Sequence, residues 1–276
     1  MKIAIVGLGL IGGSMAMSIR RHTGHTVFGY DIDPQVMLRA KAVEAIHDTL
    51  TDALLPGCDI VLVCLFPQAC ADYISSHADA FGDGALVIDC AGVKRHVYDQ
   101  AAPLAAARRW TYIGGHPMAG REFSGFAAAR PDLFDNASII LCPPPEAGIE
   151  AREAAKAFFL EAGFKLVRFC TPEAHDQMIG YTSQLAHVVS GAYIKNPLAP
   201  SHKGFSAGSF LDMTRVARMN EVMWTELFLE NADLLLPALD DLILRLNEYR
   251  EALSSGDREK LLPVLREGRI AKEALD

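Results

Sequence analysis

The sequence has no Cys-x-x-Cys pair, no apolar run long enough to cross a bilayer and no excess of positive charge. The spacing of its 6 cysteines matches neither a zinc site nor a dithiol redox motif, so we expect no bound metal. The longest apolar stretches fall short of the ~20 residues that a transmembrane helix needs. The formal net charge of -8 disfavours nucleic acid as a partner, because phosphate binding needs a basic surface. A single arginine can still hold a small anionic ligand.

The remaining composition is that of a globular protein. Half of the residues are hydrophobic and 22% are charged, and 276 residues predict about two domains of roughly 150 residues each. Unpaired cysteines beside apolar segments are typical of the reducing cytoplasm. Residues 1–16 resemble a short signal peptide, but four glycines fall in or beside its apolar stretch, so we expect a buried strand that leads into a helix. We therefore expect a cytoplasmic protein that binds no membrane.

Short β-rich segments fill the first 170 residues. They are mostly continuous runs of Val, Ile and Leu, as expected for strands buried on both faces. They cover residues 2–6, 25–31, 59–65, 85–89, 112–115, 138–142 and 165–169. Helical patterns such as residues 150–162 lie between them, and this alternation predicts a parallel sheet with helices on both sides. We predict an α/β fold whose first domain, residues 1–170, is a Rossmann-type, doubly wound, mostly parallel sheet.

The pattern changes at Thr171-Pro172, where strand-like segments stop. The predicted helices cover residues 173–194, 210–230 and 232–253, and a predicted loop covers residues 196–205. Residues 171–276 are therefore predicted to form an all-helical substrate and dimerisation domain. Its helices carry more apolar surface than about 100 residues hide easily, which leaves two possibilities open: a homodimer, or burial within one chain.

A glycine-rich run follows the first predicted strand and opens a helix. The run is Gly7-Leu8-Gly9-Leu10-Ile11-Gly12, and its context is that of a dinucleotide-binding fingerprint. Gly7 permits the tight turn, Gly9 lets the backbone approach a pyrophosphate, and Gly12 allows close packing of helix and strand. The N–H groups of the first helical turn, at Leu10 and Ile11, face the phosphates.

Asp31 ends the second predicted strand, 19 residues after Gly12, close to the spacing of about 20 seen in this fingerprint. A carboxylate there accepts hydrogen bonds from ribose hydroxyls and repels a 2′-phosphate, so NAD is predicted over NADP. The alternative is that Asp31 only starts a turn with Asp33-Pro34.

His116 follows the fifth predicted strand, in the stretch Gly114-Gly115-His116-Pro117-Met118-Ala119-Gly120-Arg121-Glu122. The carboxyl ends of parallel strands border the ligand crevice of a doubly wound sheet. A histidine has an unperturbed pKa of about 6.5 and is suited to act as a general base at this position. The alternative is a loop histidine that bonds only to backbone.

The first helix of the second domain has a face of small and polar residues. At helical spacing this face includes Asp176, Gly180, Ser183, His187 and Gly191. Small side chains there leave room for a ligand, but such a pattern is more often that of a helix–helix contact with a buried histidine.

A candidate for binding a substrate anion is Arg215, at the end of the stretch Gly208-Ser209-Phe210-Leu211-Asp212-Met213-Thr214-Arg215. Arg215 either clamps a carboxylate or pairs with Asp212.

Together these stretches resemble the prephenate/arogenate dehydrogenase family of tyrosine biosynthesis, over nearly the whole chain from Gly7 to Asn231. The resemblance implies a helical, dimerising second domain and an active site between the domains. It also implies NAD-dependent oxidative decarboxylation. In that reaction a hydride leaves ring carbon C4, the ring hydroxyl loses its proton, and loss of carbon dioxide aromatises the ring.

Site residues are also implied by this resemblance. His116 matches the histidine that binds the substrate's ring hydroxyl and takes its proton, and Glu122 matches an acidic residue near the site entrance. His187 matches a histidine that lines the substrate pocket. Arg215 matches the arginine that binds a substrate carboxylate.

Three positions depart from the family pattern. Gly92 stands where the family often has a serine whose hydroxyl assists at the ring oxygen, and Leu211 replaces a frequent arginine. Gln184 stands where many members have another histidine, and we count it with Ser183 among the candidate substrate-binding residues. Substrate preference between prephenate and arogenate is therefore left open.

Two other functions are compatible with parts of the sequence. A β-hydroxyacid-type dehydrogenase needs a catalytic lysine, and Lys195 lacks the glycine-rich context of such a lysine. A non-catalytic NAD-binding sensor would keep the glycine-rich run and Asp31 but would need neither His116 nor Arg215. We expect neither a fused mutase before Met1 nor a regulatory domain after Asp276.

Overall fold

One sheet of eight strands forms the N-terminal part of the computed structural model, which describes residues 1–121 and 123–275. The strands are β1 (Lys2–Val6), β2 (Thr26–Tyr30), β3 (Asp48–Thr49), β4 (Ile60–Val63), β5 (Leu86–Asp89), β6 (Thr111–Pro117), β7 (Ser138–Cys142) and β8 (Leu166–Phe169). Their order is β3-β2-β1-β4-β5-β6-β7-β8. All neighbours are parallel except β6 and β7. This confirms the predicted doubly wound, mostly parallel sheet.

Both faces of the sheet are buried, which explains the continuous apolar runs. Along β1, Ile3 and Ile5 pack into one hydrophobic cluster, while Ala4 and Val6 pack into a second cluster. The helices of this part are α1 (Leu10–His22), α2 (Pro34–Ala42), α3 (Pro67–Ser76), α4 (Arg95–Ala106) and α5 (Ile149–Glu161).

The predicted strands all form, and their ends differ from the prediction by at most two residues. The sequence did not indicate β3, because this two-residue edge strand contains no apolar run. The predicted fifth strand is therefore β6. It extends through Pro117, so His116 lies within the strand rather than after it, opposite Ile140 of β7.

The C-terminal part is helical, as predicted, and residues 171–275 contain no strand. Its helices are α6 (Pro172–Ile179), α7 (Leu185–Tyr193), α8 (Gly208–Thr214), α9 (Glu221–Glu230), α10 (Ala232–Ser255) and α11 (Arg258–Glu273). Among the described residues, no helix is both long enough and apolar enough to cross a membrane.

Two predicted helices were wrong in detail. The helix over residues 173–194 contains a π-helical segment, Gly180–Gln184, between α6 and α7. The helix over residues 210–230 is interrupted after a 3-10 turn, Arg215–Ala217. A new helix starts there because the side chain of Asn220 accepts a hydrogen bond from the backbone N–H of Met223 and caps α9.

The long helix α10 leaves large apolar side chains exposed. These are Leu236, Ile243, Leu244, Leu246 and Leu253, each between 47% and 65% exposed. Exposed apolar side chains in such number along one helix indicate a contact surface.

Candidate active site

The glycine-rich run forms the turn between β1 and α1. Gly7 has a φ of 84°, in the left-handed region that glycine adopts without strain. A Cβ atom at Gly12 would overlap the carbonyl oxygen of Gly7 and lie 3.0 Å from the Cβ atom of Cys64. A Cβ atom at Gly9 would meet no atom of the described residues within 4 Å. Gly7 and Gly12 are thus required by the turn and the packing, whereas Gly9 borders open space at the N-terminus of α1.

Asp31 is fixed against this turn. Its Oδ2 atom accepts a hydrogen bond from the backbone N–H of Leu8 at 2.8 Å, and its Oδ1 atom accepts one from Asp33 at 2.9 Å. Each oxygen of a carboxylate has a second lone pair, so both can still accept from ribose hydroxyls. The turn with Asp33 therefore exists and does not exclude the nucleotide role. The open approach at Gly9 and the carboxylate beside it fit a dinucleotide.

His116 lies at the same edge of the sheet as this turn. Strands β1, β4, β5 and β6 are mutually parallel, so the ends of β1 and β6 share the carboxyl edge. His116 is partly exposed there. This edge is where ligands bind in doubly wound folds.

A hydrogen-bonded chain connects His116 to the helical part. The Nδ1 atom of His116 lies 2.9 Å from the Nε2 atom of His175. The Nδ1 atom of His175 lies 2.7 Å from the Oδ1 atom of Asp176. Both His175 and Asp176 are buried on α6, so the partly exposed histidine of β6 is held from behind by two buried polar residues.

Asp176 also binds the start of α4. It accepts hydrogen bonds from the backbone N–H groups of Lys94 at 2.7 Å and Arg95 at 3.0 Å, and from the Nε atom of Arg95 at 3.2 Å. Burial raises the pKa of Asp176, but the hydrogen bonds from His175 and from the backbone outweigh it, so the pKa lies below its ordinary value. Asp176 is therefore a carboxylate at neutral pH.

Both histidines of this hydrogen-bonded chain, His116 and His175, are neutral at neutral pH. Burial is the main cause that holds the pKa of His116 well below its ordinary value, and the proximity of His175 and of the charged Lys94 adds to it. Burial also lowers the pKa of His175, although the hydrogen bond to Asp176 partly opposes the shift.

A buried ion pair lies beneath His116. The Nζ atom of Lys94 bonds to Asp89 and, at 2.6 Å, to the carbonyl oxygen of Gly115, the residue before His116. The hydroxyl of Tyr112 donates to Asp89 at 2.6 Å. Because all of these side chains are fully buried, they fix the backbone of β6 at the position of the histidine.

His187 and Arg215 lie close enough to interact electrostatically. Burial lowers the pKa of His187, and the charge of Arg215 lowers it further. The Nδ1–H group of His187 donates to the carbonyl of Ser183 at 2.8 Å, and its ring lies 3.8 Å from that of Trp224. The structure thus brings together two of the four residues that were predicted to bind the substrate.

Gln184 is engaged elsewhere. Its Nε2 atom donates to the carbonyl of Leu227 at 2.8 Å, and its Oε1 atom accepts from Asn231 at 2.7 Å. The π-helical segment adds a residue to the turn, so Gln184 occupies the buried position and Ser183 is only half-buried. Both polar atoms of Gln184 have partners within the protein and join the π-helical segment to the end of α9 and to Asn231, so its contact with the substrate stays a prediction.

Three further positions from the sequence analysis are Gly92, Leu211 and Glu122. A Cβ atom at Gly92 would lie 3.0 Å from Leu227, so this leucine fills the space toward which a serine side chain would extend. Leu211 is exposed. Glu122 lies outside the described residues.

Several residues of the site were missed by sequence reasoning, although they lie beside motifs that it used. Asp176 belongs to the small and polar face of the helix, but neither Asp176 nor the preceding His175 was given a role in the site. Asp89 and Lys94 bracket the segment that contains Gly92. Asn231 donates to the backbone carbonyl of Asp176 at 2.9 Å. A histidine next to an acid was the available signal, but nothing in the local pattern showed its partner on β6.

Two family models match this chain. The model described as the nucleotide-binding domain of prephenate dehydrogenase matches residues 15–168, and the model described as its dimerization domain matches residues 171–267. The cyclohexadienyl dehydrogenase of Zymomonas mobilis is 32% identical, over 99% of this chain and 95% of that protein.

Solved structures agree with these matches. The prephenate dehydrogenase of A. aeolicus, in complex with hydroxyphenyl propionate and NAD+, has 27% identity and a TM-score of 0.86, covering 100% of this chain and 98% of that one. The arogenate dehydrogenase of Synechocystis has 27% identity and a TM-score of 0.82, covering 100% of both chains.

Proposed function

Because the chain belongs to the prephenate dehydrogenase family, we propose that it catalyses the NAD-dependent oxidative decarboxylation of prephenate or arogenate with His116 as the general base. One observation carries this assignment: His116 and the glycine turn at Gly7 lie at the carboxyl edge of the same parallel strands. A neutral imidazole thus stands at the edge where the dinucleotide fits. A sensor that only bound NAD would not need it.

The cofactor-binding residues are Gly7, Gly9, Leu10, Ile11, Gly12 and Asp31. The N–H groups at the start of α1 bind the pyrophosphate, and Gly9 gives it access to the backbone. Asp31 binds the ribose hydroxyls. Bound NAD supplies the acceptor for the hydride that leaves ring carbon C4.

The protein's own residues accept one proton and bind one substrate carboxylate. His116 accepts the proton of the ring hydroxyl, because its imidazole is neutral and partly exposed. Arg215 binds a substrate carboxylate through the planar geometry of its guanidinium group, while His187 and Trp224 line the pocket beside it. Glu122 remains a candidate for a role near the entrance. Loss of carbon dioxide aromatises the ring and makes the overall reaction strongly favourable.

We also propose a cytoplasmic homodimer in which residues 1–170 bind the cofactor and residues 171–276 form the dimerising domain. The exposed apolar side chains of α10 and the match to a dimerization-domain model support a homodimer. The domain division is supported by the last strand, which ends at Phe169, and the first helix beyond it, which begins at Pro172. Six free thiols support the cytoplasmic location.

The experiment that tests the function is a spectrophotometric assay for NADH. Prephenate, arogenate and a panel of β-hydroxyacids are each offered with NAD and with NADP. We expect turnover of at least one cyclohexadienyl substrate, preference for NAD because Asp31 repels the 2′-phosphate, and no turnover of β-hydroxyacids. Turnover of β-hydroxyacids alone, or of none of these substrates, would contradict the proposal. Equal use of NAD and NADP would contradict the role of Asp31.

A further inference from the structure

We propose that His175, held by Asp176, is a positioning residue that fixes the tautomer of His116, so that the Nε2 atom of His116 is the proton acceptor. The inference rests on the proposed function, in which His116 is the base. His116 Nδ1 lies 2.9 Å from His175 Nε2, and His175 Nδ1 lies 2.7 Å from Asp176 Oδ1.

The proton positions follow from donors and acceptors. Asp176 is ionised and can only accept, so the proton of neutral His175 lies on Nδ1. The Nε2 atom of His175 then carries a lone pair and must itself accept a hydrogen bond. The donor is the Nδ1–H group of His116, which leaves the lone pair of His116 on Nε2. This is the tautomer that a base needs if its Nε2 atom faces the substrate.

The anchoring of Asp176 makes this arrangement rigid. Four donors converge on its two oxygens: His175, the backbone N–H groups of Lys94 and Arg95, and the Nε atom of Arg95. His175 is only 1% exposed, so no water competes for its Nε2 atom. The tautomer of a histidine on β6 is thus set by residues on α6, 59 positions further along the chain.

The hydrogen-bonded series of His116, His175 and Asp176 also assists the proton transfer itself. When the Nε2 atom of His116 takes the hydroxyl proton, His116 becomes an imidazolium with both nitrogens protonated. Its Nδ1–H group continues to donate to His175, and the carboxylate of Asp176 stabilises the new positive charge through that ring. Burial alone would oppose this charge, since it holds the pKa of His116 well below its ordinary value. A neighbouring acceptor that leads to a carboxylate offsets part of that cost.

Two substitutions at one position separate positioning from packing. His175→Phe fills the space but removes the acceptor, and His175→Gln places a carbonyl oxygen near the former Nε2 atom. We expect His175→Phe to lower kcat by about 10- to 100-fold, less than loss of the base itself. KM for NAD should not change. His175→Gln should restore kcat to within about fivefold of the unmodified protein, because its oxygen again accepts from His116.

A measurement that needs no substrate completes the test. The nitrogen chemical shifts of 15N-labelled histidine report which ring nitrogen of His116 carries the proton, with His116→Asn used for assignment. We expect the proton on Nδ1 in the unmodified protein and in His175→Gln. If His175→Phe folds, its His116 should show a mixture of tautomers. If it does not fold, the unmodified protein and His175→Gln still decide the question.

Either of two results would overturn the inference: a proton on Nε2 of His116 in the unmodified protein, or a kcat for His175→Phe within twofold of the unmodified protein. Equal losses of kcat in the Phe and Gln variants would also overturn it, since restoring the acceptor would then have no effect. Failure of the proposed function has a different signature. In that case the unmodified protein would turn over no cyclohexadienyl substrate, or His116→Asn would keep the kcat of the unmodified protein, while the nitrogen shifts would still report the tautomer.

Discussion

At the scale of single residues, Arg215 is the position where a substrate role and a structural role lead to opposite measurements. As a carboxylate clamp, Arg215 uses the two-pronged geometry that lysine lacks. We expect Arg215→Lys to raise KM for the substrate sharply while the melting temperature stays near that of the unmodified protein. Arg215→Ala should weaken substrate binding further, by about 2–5 kcal/mol, because a buried carboxylate would lose its partner.

The neighbouring Arg218, whose guanidinium lies 5.4 Å from the ring of Phe123, is the matched control. Arg218→Ala should change KM much less. If Arg215 instead pairs structurally with Asp212, Arg215→Ala would lower the melting temperature and leave KM unchanged. Measuring KM and melting temperature on the same three variants separates the two outcomes.

Residue identities were predictable where a local pattern demanded them. The spacing of Gly7, Gly9 and Gly12 reflects a turn that any dinucleotide-binding helix of this type needs, and Asp31 follows at the expected distance. His175 was not predictable as the partner of His116, because their contact joins β6 to α6 and depends on tertiary packing. The structural role of Gln184 was missed for the same reason, since its partners Leu227 and Asn231 lie more than 40 positions away.

At the scale of elements, two glycines at the start of α1 have different roles: Gly12 is needed for packing, and Gly9 for the approach of the dinucleotide. We expect Gly12→Ala to destabilise the fold, by about 1–3 kcal/mol, because the methyl group meets the rigid backbone of Gly7. Gly9→Ala should leave the melting temperature nearly unchanged, since no described atom beyond its neighbours in the chain lies within 4 Å of the added carbon. It should nevertheless weaken NAD binding, because the methyl group occupies the approach of the pyrophosphate.

Thermal melting and NAD titration by calorimetry check both variants, each serving as the control for the other. Undiminished NAD affinity in Gly9→Ala would show that the dinucleotide does not approach at this turn.

The sequence predicted those strands and helices that have at least one apolar face, because only such a face leaves a periodic or continuous apolar pattern. Strands β1, β4 and β5 are buried on both sides and therefore stand out as continuous apolar runs. The two-residue strand β3 carries no such signal. The π-helical segment Gly180–Gln184 was missed because a regular 3.6-residue period continues past it in the sequence, whereas the buried face shifts from Ser183 to Gln184.

At the scale of the whole molecule, the sheet and the helical part are joined by polar contacts around α4 and α9. Arg95 of α4 binds both Asp176 and Asp233, and the backbone N–H of Gln68 donates to Glu226 at 2.6 Å. Glu230 lies in the same junction. Burial, followed by the charges of Glu226 and Asp176, raises the pKa of Glu230 to about 7.

This pKa predicts how stability depends on pH. The stabilising contribution of protonated Glu230 is complete below its unfolded pKa of about 4.5 and is lost as the pH rises through about 7. Glu230→Gln keeps the neutral form at every pH. We therefore expect it to raise the melting temperature at pH 8 and to change it little at pH 5. His96, whose Nε2 atom lies 3.5 Å from Oε1 of Glu230, is present in the unmodified protein and in Glu230→Gln.

Thermal melts of Glu230→Gln and of the exposed-site control Glu251→Gln, each at pH 5 and pH 8, provide the measurement. An equal effect of Glu230→Gln at the two pH values would contradict a raised pKa at this junction.

The role of His116 as the base of an NAD-dependent oxidative decarboxylation is tested by steady-state kinetics of His116→Asn. With saturating NAD and the preferred cyclohexadienyl substrate, kcat should fall by about 10²–10⁴, the usual contribution of a general base. NAD affinity should not change, and the acidic limb of the kcat profile should disappear, because only neutral imidazole accepts the proton. A kcat within a few-fold of that of the unmodified protein, with the acidic limb still present, would contradict the account.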